Sequence, residues 1–431
     1  MKNKISAFAI EDSKAFKIKM LNWSGRFNIF CFLDNSNYKH EENSFECLLA
    51  AGCKRSVSIT HGNTLKELQA FSDKNNDWLF GHLGYDIINK KPLDIPALKN
   101  EVDFGGGFFF IPEILLRLTE KELIIESECF DPHQIFEAVN EQDHFIKKTA
   151  RQNIEFTKEI TGHDYKNIIN ALREHILRGD CYEINFCQHF FANDISIDPV
   201  FYYHQLACIS PNPFGAFYKL GDKYCLCASP ERFLKKTGTT LISQPIKGTS
   251  KRNLTDATAD EKSRQYLMNS DKEKIENVMV VDLVRNDMSK ICKEGSVHVR
   301  ELFGIYSFPQ VHQMISTIEG EIDTGIAWTD VIKACFPMGS MTGAPKIKVM
   351  ELIERYEHSP RGLFSGSIGY ITPGGDFDFN VVIRSLMYDE TKKIISFKTG
   401  GGITFNSNAE QEYEECMLKA AAIIRVLKND Q

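Results

Sequence analysis

The sequence predicts an α+β fold built on a large antiparallel β-sheet system. Strand-like segments come in runs with helices set beside them, without the strict alternation of strand and helix that is typical of a parallel sheet. The chain has 431 residues, of which 42% are hydrophobic and 11% aromatic. This composition indicates a globular protein with a sizeable core, and the length exceeds that of one typical domain.

The N-terminal third is predicted to be mostly strand, because short apolar runs alternate with clusters of turn residues. Examples are "FNIFCFLDNSNY" at 27–38 and "GGGFFFIPEILLRLTEKELIIES" at 105–127. The polar segment 137–158 is the predicted connector or bridging helix. It separates an N-terminal region, residues 1–140, from a C-terminal domain, residues 160–428.

The C-terminal domain opens with a predicted helix that is followed by a strand. Ile169, Leu172 and Ile176 recur on one helical face, and Gly179 is placed to end the helix. Further helices are predicted at 271–284, 344–357 and 408–428, and further strands at "YCLCAS", "SGSIGYIT", "DFDFNVVIRSLMY" and "KIISFKTG". The two strands around "TPGG" are predicted to form a hairpin.

The composition argues against several classes of function. The formal net charge is −7, whereas nucleic-acid binding needs a basic surface that neutralises phosphates. The first residues lack the apolar run of a signal peptide, and nowhere do 18 apolar residues follow one another, so no membrane span is expected. The twelve cysteines are scattered singly without a CxxC pair, which favours reduced thiols in a cytoplasmic protein.

Residues 271–287, "DKEKIENVMVVDLVRND", are predicted to form a helix that is apolar nearly all round and therefore largely buried. A buried carboxylate needs a partner or a metal ion, because the loss of its hydration is unfavourable. Asp282 and Arg285 have an alternative explanation, which is an internal ion pair. For Glu276, earlier in the helix, a functional role is the favoured interpretation.

Two glutamates near the start of the last predicted helix form a second candidate site. Glu412 and Glu415 are spaced i, i+3 and so share a helix face. Acidic residues at a helix N-terminus also favour the helix dipole, which is the alternative explanation. However, the glycine-rich "KTGGGITFNSN" leads directly into this helix and permits close approach of a ligand. Glu276 and Glu415 together would supply the few carboxylates that Mg²⁺ prefers.

Lys247 lies between Pro-Ile and Gly-Thr in "SQPIKGTSKR", residues 243–252. It is either a solvated loop lysine or a nucleophile held in a pocket. The segment "GSMTGAPK", residues 339–346, has the look of a phosphate-binding loop but lacks the second glycine before the lysine and the Ser or Thr after it. In that segment Thr342 is instead free to face a ligand.

Seven motifs occur together and in order along the C-terminal domain. They are "SPERF" (229–233), "QPIKGT" (244–249), "ENVMVVDLVRND" (276–287), "GSMTGAPK" (339–346), "SGSIGY" (365–370), "NVVIRS" (380–385) and "GGGITFNSNAEQEYEE" (400–415). In this order they resemble the chorismate-utilising enzymes, a family that includes anthranilate synthase component I, aminodeoxychorismate synthase component I, and the isochorismate and salicylate synthases. The resemblance is thinner in the N-terminal third, where "FLDNSNY" and "GHLGYD" match.

The resemblance implies a fold of two packed antiparallel β-sheets flanked by helices, chorismate as substrate and Mg²⁺ as cofactor. Glu276 and Glu415 match Mg²⁺ ligands, and Glu412 matches a neighbour acting through water. Glu231 matches the general acid that protonates the departing 4-hydroxyl, a role that a buried glutamic acid with a raised pKa can fill. The remaining matches to active-site and substrate-binding positions are Arg384, Tyr370, Thr342, Gly401, Gly248, Thr249 and His312.

Lys247 separates the branches of this family. The anthranilate, isochorismate and salicylate synthases resemble one another in having alanine at this position, whereas the aminodeoxychorismate synthases have lysine. The implied reaction is an attack of the Lys247 amine on ring C2 as the 4-hydroxyl leaves, followed by attack of ammonia on C4 that displaces the lysine. The product would be 4-amino-4-deoxychorismate, a precursor of 4-aminobenzoate and folate. Burial and nearby Mg²⁺ are expected to lower the pKa of Lys247 and so free its amine.

Glu183 stands where the isochorismate and salicylate synthases carry a water-activating lysine, and where the amino-transferring branches usually carry glutamine. Attack of water at C2 is therefore not expected, and a carboxylate here could orient ammonia or pair with Lys247. The chain shows no pattern of a glutamine-hydrolysing domain, so the expected partner is a separate glutamine amidotransferase subunit. The alternatives are anthranilate synthase component I and a catalytically silent binding protein of the same fold. Some relatives bind tryptophan in the N-terminal part, a pattern that "FLDNSNY" matches only partly.

Overall fold

The structure is a computed structural model that describes residues 4–38, 45–59, 64–88, 102–149 and 154–427. Two antiparallel sheets pack face to face, and helices cover the outer face of each sheet. This four-layer arrangement confirms the predicted α+β class and the two packed sheets.

The first third of the chain, up to the connector, has eight strands and three α-helices in the part that the structure describes. Its elements in chain order are β1 (Lys4–Ala9), α1 (Ser13–Ser24), β2 (Ile29–Asp34), β3 (Cys47–Ala51), β4 (Arg55–Ile59), α2 (Thr64–Asn75), β5 (Leu79–Leu83), β6 (Gly107–Ile111), β7 (Ile114–Leu118), β8 (Glu122–Ser127) and α3 (Pro132–Asn140). The three helices were not predicted, because their apolar residues do not form the long periodic stripe that distinguishes a helix from short strands.

The remaining elements belong to the predicted C-terminal domain. They are β9 (Thr157–Lys158), α4 (Gly162–Leu177), β10 (Glu183–Ala192), α5 (Pro199–Ile209), β11 (Phe214–Leu220), β12 (Lys223–Ser229), β13 (Arg232–Thr237), β14 (Thr240–Gln244), β15 (Ile246–Lys251), α6 (Ala257–Asn269), α7 (Asp271–Ser289), β16 (His298–Ser307), β17 (Val311–Glu321), α8 (Trp328–Cys335), β18 (Gly343–Ala344), α9 (Lys346–Tyr356), β19 (Ser367–Ile371), β20 (Phe377–Asn380), β21 (Ser385–Asp389), β22 (Ile394–Ile403) and α10 (Ala409–Leu427).

The two sheets have twelve and ten strands. The order in the twelve-stranded sheet is β1-β8-β7-β3-β2-β11-β12-β21-β22-β10-β18, with β9 beside β10. The order in the ten-stranded sheet is β15-β17-β14-β13-β20-β19-β5-β6-β4, with β16 beside β17. Strands β2 and β5 from the N-terminal region pair with β11 and β19 from the C-terminal domain. The two predicted regions are therefore continuous through both sheets, and residues 150–153 of the predicted connector lie outside the described residues.

Three apolar cores hold the layers together. One lies between the twelve-stranded sheet and helices that include α1, α4 and α10, and a second lies between the ten-stranded sheet and helices that include α7 and α8. The third core lies between the sheets and contains phenylalanines of β5 and β6 packed toward cysteines of β2 and β12. Burial of such large apolar surfaces is the main favourable contribution to the folding free energy.

The helices predicted in the C-terminal domain are confirmed as α4, α7, α9 and α10, with ends that differ by a few residues. Thr161 caps α4 by accepting a hydrogen bond from the Asp164 N–H, and Gly179 follows the helix with a φ of +80°. Helix α7 is not buried all round, however. Val278 is 39% exposed, and Asp282 and Arg285 pair at 3.2 Å on the solvent side. The buried face of α7 includes Glu276.

The segment "DFDFNVVIRSLMY" was predicted as one strand but forms two. Strand β20 ends at Asn380 in the ten-stranded sheet, and β21 begins at Ser385 in the twelve-stranded sheet. Arg384, at the end of this crossing, has a φ of +50°. The left-handed conformation redirects the chain, and a sequence pattern of buried β-branched residues gives no sign of it.

Two expectations about the whole chain can be compared with the structure. All twelve cysteines are free thiols, as their scattered positions predicted, and Cys225 and Cys227 lie on one strand, β12. No helix within the described ranges is long and apolar enough to cross a membrane.

Candidate active site

Lys247 is held against a carboxylate from the other sheet. It lies on β15, and its Nζ is 2.5 Å from Oε1 of Glu183, the first residue of β10. The two side chains are 11% and 3% exposed. The pairing of β15 with β17 is irregular between Ile246 and Thr249, and Gly248 has a φ of +93°. This irregular backbone allows Lys247 to reach across to β10 instead of lying on the sheet face.

The glycine-rich end of β22 makes room for this ion pair. Gly402 lies opposite Asn185 in the β10–β22 ladder. A Cβ atom on Gly402 would lie 2.6 Å from Lys247 Nζ and 2.8 Å from Glu183 Oε1. Any side chain here would push the two charged groups apart, so glycine is needed at this position for close approach.

The charges around Lys247 are mostly negative. Burial alone would lower its pKa, but the carboxylates of Glu183, Glu276 and Glu231 outweigh burial and raise the pKa above its ordinary value. The expected lowering of this pKa is therefore not observed. Desolvation is the largest single influence and acts in the expected direction, but the carboxylates together outweigh it.

Glu231 is the carboxyl group best placed to act as an acid. It is 4% exposed, and burial raises its pKa to about 7, against the opposing charges of Lys247 and Arg384. It follows β12 in a tight connection and lies beside a small cavity that Ser340 and Met338 also line. A carboxyl group with this pKa is partly protonated near neutral pH and can donate a proton.

The predicted metal ligands come from two helices, α7 and α10. Glu276 on α7 is 8% exposed, and Glu412 on α10 is 5% exposed. A Cβ atom on Gly401 would lie 3.5 Å from Glu412 Oε2 and 3.6 Å from Glu415 Oε1, so both carboxylates meet at this glycine. Burial raises the pKa of Glu276 to about 7 and that of Glu412 above its ordinary value.

Two lysines lie among these carboxylates. Lys272 Nζ is 3.8 Å from Glu276 Oε1, and its pKa is raised by Glu276 and Glu412 in spite of burial. Lys419 Nζ is 2.7 Å from Glu415 Oε1. Burial would raise the pKa of Glu415, but Lys419 outweighs it and holds the pKa below its ordinary value. The ammonium groups thus partly neutralise the carboxylates.

These residues fit a Mg²⁺ ion. In the described part of the chain no three His, Cys, Asp or Glu side chains are already arranged as a metal site. Mg²⁺ needs less than that, since proteins usually supply one or two carboxylates and leave the other positions to water and substrate. Glu276 and Glu415 offer oxygen ligands, and the Lys272 side chain, which is 51% exposed, can move aside.

Arg384 provides a cation without a partner. Its guanidinium forms no hydrogen bond or ion pair with any residue that the structure describes. Burial lowers its pKa, and the charge of Glu231 opposes that change. A guanidinium presents five N–H donors and is suited to bidentate binding of a carboxylate. Together with the φ of +50° at this residue, the free donors indicate a ligand-binding position.

The described contacts of two predicted site residues do not include Lys247 or Glu231, and the roles of these residues stay predictions. Tyr370 packs against Trp78 and Phe80, with ring centroids 5.6 Å and 5.9 Å away, and lines a different cleft together with Asp34. His312 forms a hydrogen bond of 2.8 Å with Ser307 Oγ.

The Nε2 atom of His312 is also 3.3 Å from Asp260 Oδ1, on α6. No contact joins Tyr370 or His312 to Lys247 or Glu231 in the described ranges. A position along the chain does not fix the face of the sheet, because alternate residues of a strand face opposite sides.

The other predicted substrate-binding positions surround the Lys247 pair. Thr342 is fully buried, and its hydroxyl donates to the Met338 carbonyl at 3.1 Å, so it is not free to donate to a ligand as predicted. It is nevertheless adjacent to β10, because the Asn185 N–H donates to the Thr342 carbonyl. Gly248 lies against Glu273, whereas Thr249 is exposed.

Gln313 is a candidate that the sequence reasoning missed. It lies opposite Thr249 in the β15–β17 ladder, is 0% exposed, and neither of its amide atoms has a hydrogen-bond partner among the described residues. Buried amides are almost always hydrogen-bonded, so these atoms are available to a ligand. The alternation of the strand could have indicated it, since Gln313 faces the side opposite to His312.

The comparison with protein families identifies the family of this chain. The model of the chorismate binding enzymes matches residues 30–425, which is most of the chain. The chain belongs to the chorismate binding enzyme family.

Individual chorismate binding enzymes are also similar to this chain. Aminodeoxychorismate synthase component 1 of Salmonella typhimurium is 38% identical over 357 residues, which cover 81% of this chain and 76% of that protein. Anthranilate synthase component 1 of Pseudomonas putida is 28% identical, over 82% of this chain and 75% of that protein. The crystal structure of anthranilate synthase component I from Streptococcus pneumoniae has a TM-score of 0.76 at 24% identity and covers 90% of this chain and 94% of its own, which shows the shared fold.

Proposed function

We propose that this protein aminates chorismate at C4 to give 4-amino-4-deoxychorismate, as component I of an aminodeoxychorismate synthase. The observation that carries the proposal is the buried amine of Lys247, which is 2.5 Å from a carboxylate that can accept its proton. The similarity to aminodeoxychorismate synthase component 1 proteins, which exceeds that to the anthranilate synthase, supports the same choice.

The first half of the reaction forms a bond between Lys247 and ring C2. Lys247 transfers a proton to Glu183 and attacks C2 with the freed electron pair, while Glu231 protonates the 4-hydroxyl, which leaves as water. Glu183 then passes the proton that it took from Lys247 to Glu231, so that both carboxyl groups recover their starting protonation states. The adduct is a secondary ammonium group beside the Glu183 carboxylate. Covalent catalysis of this kind divides one difficult displacement into two easier steps.

The second half exchanges nitrogen atoms. Ammonia attacks C4, the C2–N bond to Lys247 breaks, and the lysine leaves as a neutral amine. Arg384 would bind one substrate carboxylate through its free guanidinium donors, and the Gln313 amide would complete the polar contacts. We further propose that the ammonia comes from a separate glutamine amidotransferase subunit, in keeping with the "component 1" names of the relatives.

We assign Glu276 and Glu415 as the ligands of a Mg²⁺ ion. When bound, Mg²⁺ would withdraw negative charge from the ring of the substrate through its carboxylate. The protein contributes the two carboxylates, the close approach at Gly401 and the exclusion of side chains there.

The product identifies the reaction. Purified protein is incubated with chorismate, Mg²⁺ and an ammonium salt, and half of the mixture is then treated with an aminodeoxychorismate lyase before chromatography and mass spectrometry. We expect 4-aminobenzoate only after the lyase. Anthranilate in the untreated half would instead assign the chain to the anthranilate synthases, and unchanged chorismate in both halves would favour a silent binding protein.

The metal assignment has its own test. Glu276→Gln should weaken Mg²⁺ binding at least about tenfold, measured by calorimetry without substrate, because it removes one of two charged ligands. Glu410→Gln is the matched control, since Glu410 lies on α10 near Glu412 but its side chain is 59% exposed and pairs with Lys166. Equal Mg²⁺ affinity of the Glu276 variant and the control would contradict the assignment.

A further inference from the structure

Glu183 has a second oxygen that accepts no hydrogen bond from the described chain. Its Oε1 receives Lys247 Nζ, but Oε2 is buried and has no hydrogen-bond partner among the described residues. The whole residue is 2% exposed. A carboxylate oxygen in this position has lost its hydration without a replacement, which is unfavourable unless a donor binds there.

The surroundings favour a small cation with several N–H donors. Glu276 and Glu231 face the same Lys247 ammonium group as Glu183 does, so three carboxylates share one lysine. An anionic group would be repelled by this excess of negative charge. On the other side of the pair, the backbone of Gly402 comes so close that not even a Cβ atom would fit. The ligand must therefore be compact and positively charged, and it must donate hydrogen bonds.

We propose that Glu183 Oε2 binds the ammonium ion and that the carboxylate passes its proton to Lys247. The inference rests on the proposed function, because it gives the nitrogen substrate a binding position in that reaction. The enzyme would take up ammonium itself, which is the abundant form at neutral pH, instead of the scarce neutral ammonia.

The proton balance of this step is complete. Ammonium bound at Oε2 gives one proton to the carboxylate and becomes ammonia. The ammonia electron pair forms the bond to C4, the bond between C2 and the Lys247 nitrogen breaks, and the lysine leaves as a neutral amine. Glu183 then transfers its proton from the same carboxyl group to Lys247. The product carries an ammonium group at C4, and the ion pair of the resting protein is restored.

The pH dependence of the KM for ammonium chloride shows whether the enzyme binds the ammonium ion or neutral ammonia. The apparent KM for total ammonium chloride is measured at about pH 7, 8 and 9 with saturating chorismate and Mg²⁺. An enzyme that binds ammonium has a nearly constant KM over this range. An enzyme that binds neutral ammonia has a KM that falls about tenfold from pH 7 to pH 8 and somewhat less from pH 8 to pH 9, because the neutral fraction rises by nearly tenfold per unit until the pH approaches the pKa of ammonium.

We expect a nearly constant KM for the unaltered protein and the fall typical of neutral ammonia for Glu183→Gln, whose amide cannot accept the proton. Glu410→Gln should behave as the unaltered protein. The same fall in the unaltered protein would overturn the inference, and this arm does not depend on whether the variant folds. A constant KM in both proteins would also overturn it, because ammonium would then bind without the carboxylate. Aminated product with either profile leaves the proposed function standing, whereas no product at any ammonium concentration removes both.

Discussion

Lys17 and Lys247 are buried lysines that each face several carboxylates, and their surroundings differ in one respect. Lys17 of α1 lies 2.8 Å from Asp34 Oδ1 and 2.5 Å from Glu46 Oε1. Both of these carboxylates line the cleft that Tyr370 also lines. Burial would lower the pKa of Lys17, but both carboxylates outweigh it and raise the pKa. Lys247 has the same kind of environment and its pKa is shifted in the same direction.

The carboxylates beside Lys17 also accept backbone hydrogen bonds, and neither has a buried oxygen without a partner among the described residues. Asp34 also accepts the Ser36 N–H, and Glu46 accepts the Asn37 N–H. Around Lys247, in contrast, Glu183 Oε2 and the Gln313 amide have no partner within the described residues. A hydrogen-bonded ion pair stabilises one local conformation. Buried polar groups without a hydrogen-bond partner raise the free energy of the folded state, and a ligand that supplies the missing bonds can offset this. The difference separates a structural lysine from a functional one.

The largest effect is expected at Lys247. Lys247→Ala should lower the rate of chorismate amination roughly a thousandfold or more, because it removes the attacking amine. Lys247→Arg keeps the positive charge among the carboxylates but supplies no nucleophile, so it should be equally inactive. If the arginine variant retained most of the activity in the coupled lyase assay, Lys247 would be an orienting charge and not a nucleophile.

Lys17 should show the opposite pattern. Lys17→Met leaves two carboxylates buried and unpaired, and we expect it to lower the free energy of unfolding by about 3–5 kcal/mol. Urea denaturation measures this loss, and the fraction that stays folded should keep the kcat of the unaltered protein. A decrease in the free energy of unfolding below about 1 kcal/mol would mean that the ion pairs of Lys17 do not stabilise the fold.

Glu231→Gln tests the acid of the functional cluster. It should lower kcat about a hundredfold, in the range typical of a lost general acid. The pKa of Glu231 is raised to about 7, so the acid form is present below that pH and is lost as the pH rises through it. We therefore expect kcat/KM of the unaltered protein to fall on the alkaline side of about pH 7. The same alkaline fall in the glutamine variant would show that another group is responsible.

The smallest effect is expected at an exposed pair on the same helix as Glu276. Asp282→Asn removes the partner of Arg285, and both side chains are about half exposed or more, at 65% and 49%. Exposed pairs of this kind contribute less than about 0.5 kcal/mol, so neither the urea midpoint nor the activity should change measurably. A clear loss of activity would show that the polar residues of α7 act together.

The sequence predicted the cluster around Lys247 better than the cluster around Lys17. Lys247, Glu231 and Glu276 each stand in an ordered motif, and the sheet class follows from runs of strands. No local pattern predicts that Lys17 meets Asp34 and Glu46, because that contact depends on how a helix packs across two strands. Long-range packing of this kind overrides local propensity.

The roles predicted for His312 and Tyr370 stay predictions. Both residues lie on strands, and a position along the chain does not fix the face of the sheet. Gln313, one residue further on, faces the other side and has unpaired amide atoms. The raised pKa of Lys247 was missed for a different reason, since the sum of charges from four elements becomes known only when the fold brings them together.

The crossing at residues 381–384 links the proposed substrate site to both sheets. Four residues carry the chain from an inner strand of one sheet to an inner strand of the other, and Arg384 is the last of them. A carboxylate bound by this guanidinium would therefore be anchored to both sheets at once. Bound substrate would then connect the two sheets through one side chain. We expect amide hydrogen exchange to slow in both β20 and β21 when chorismate binds.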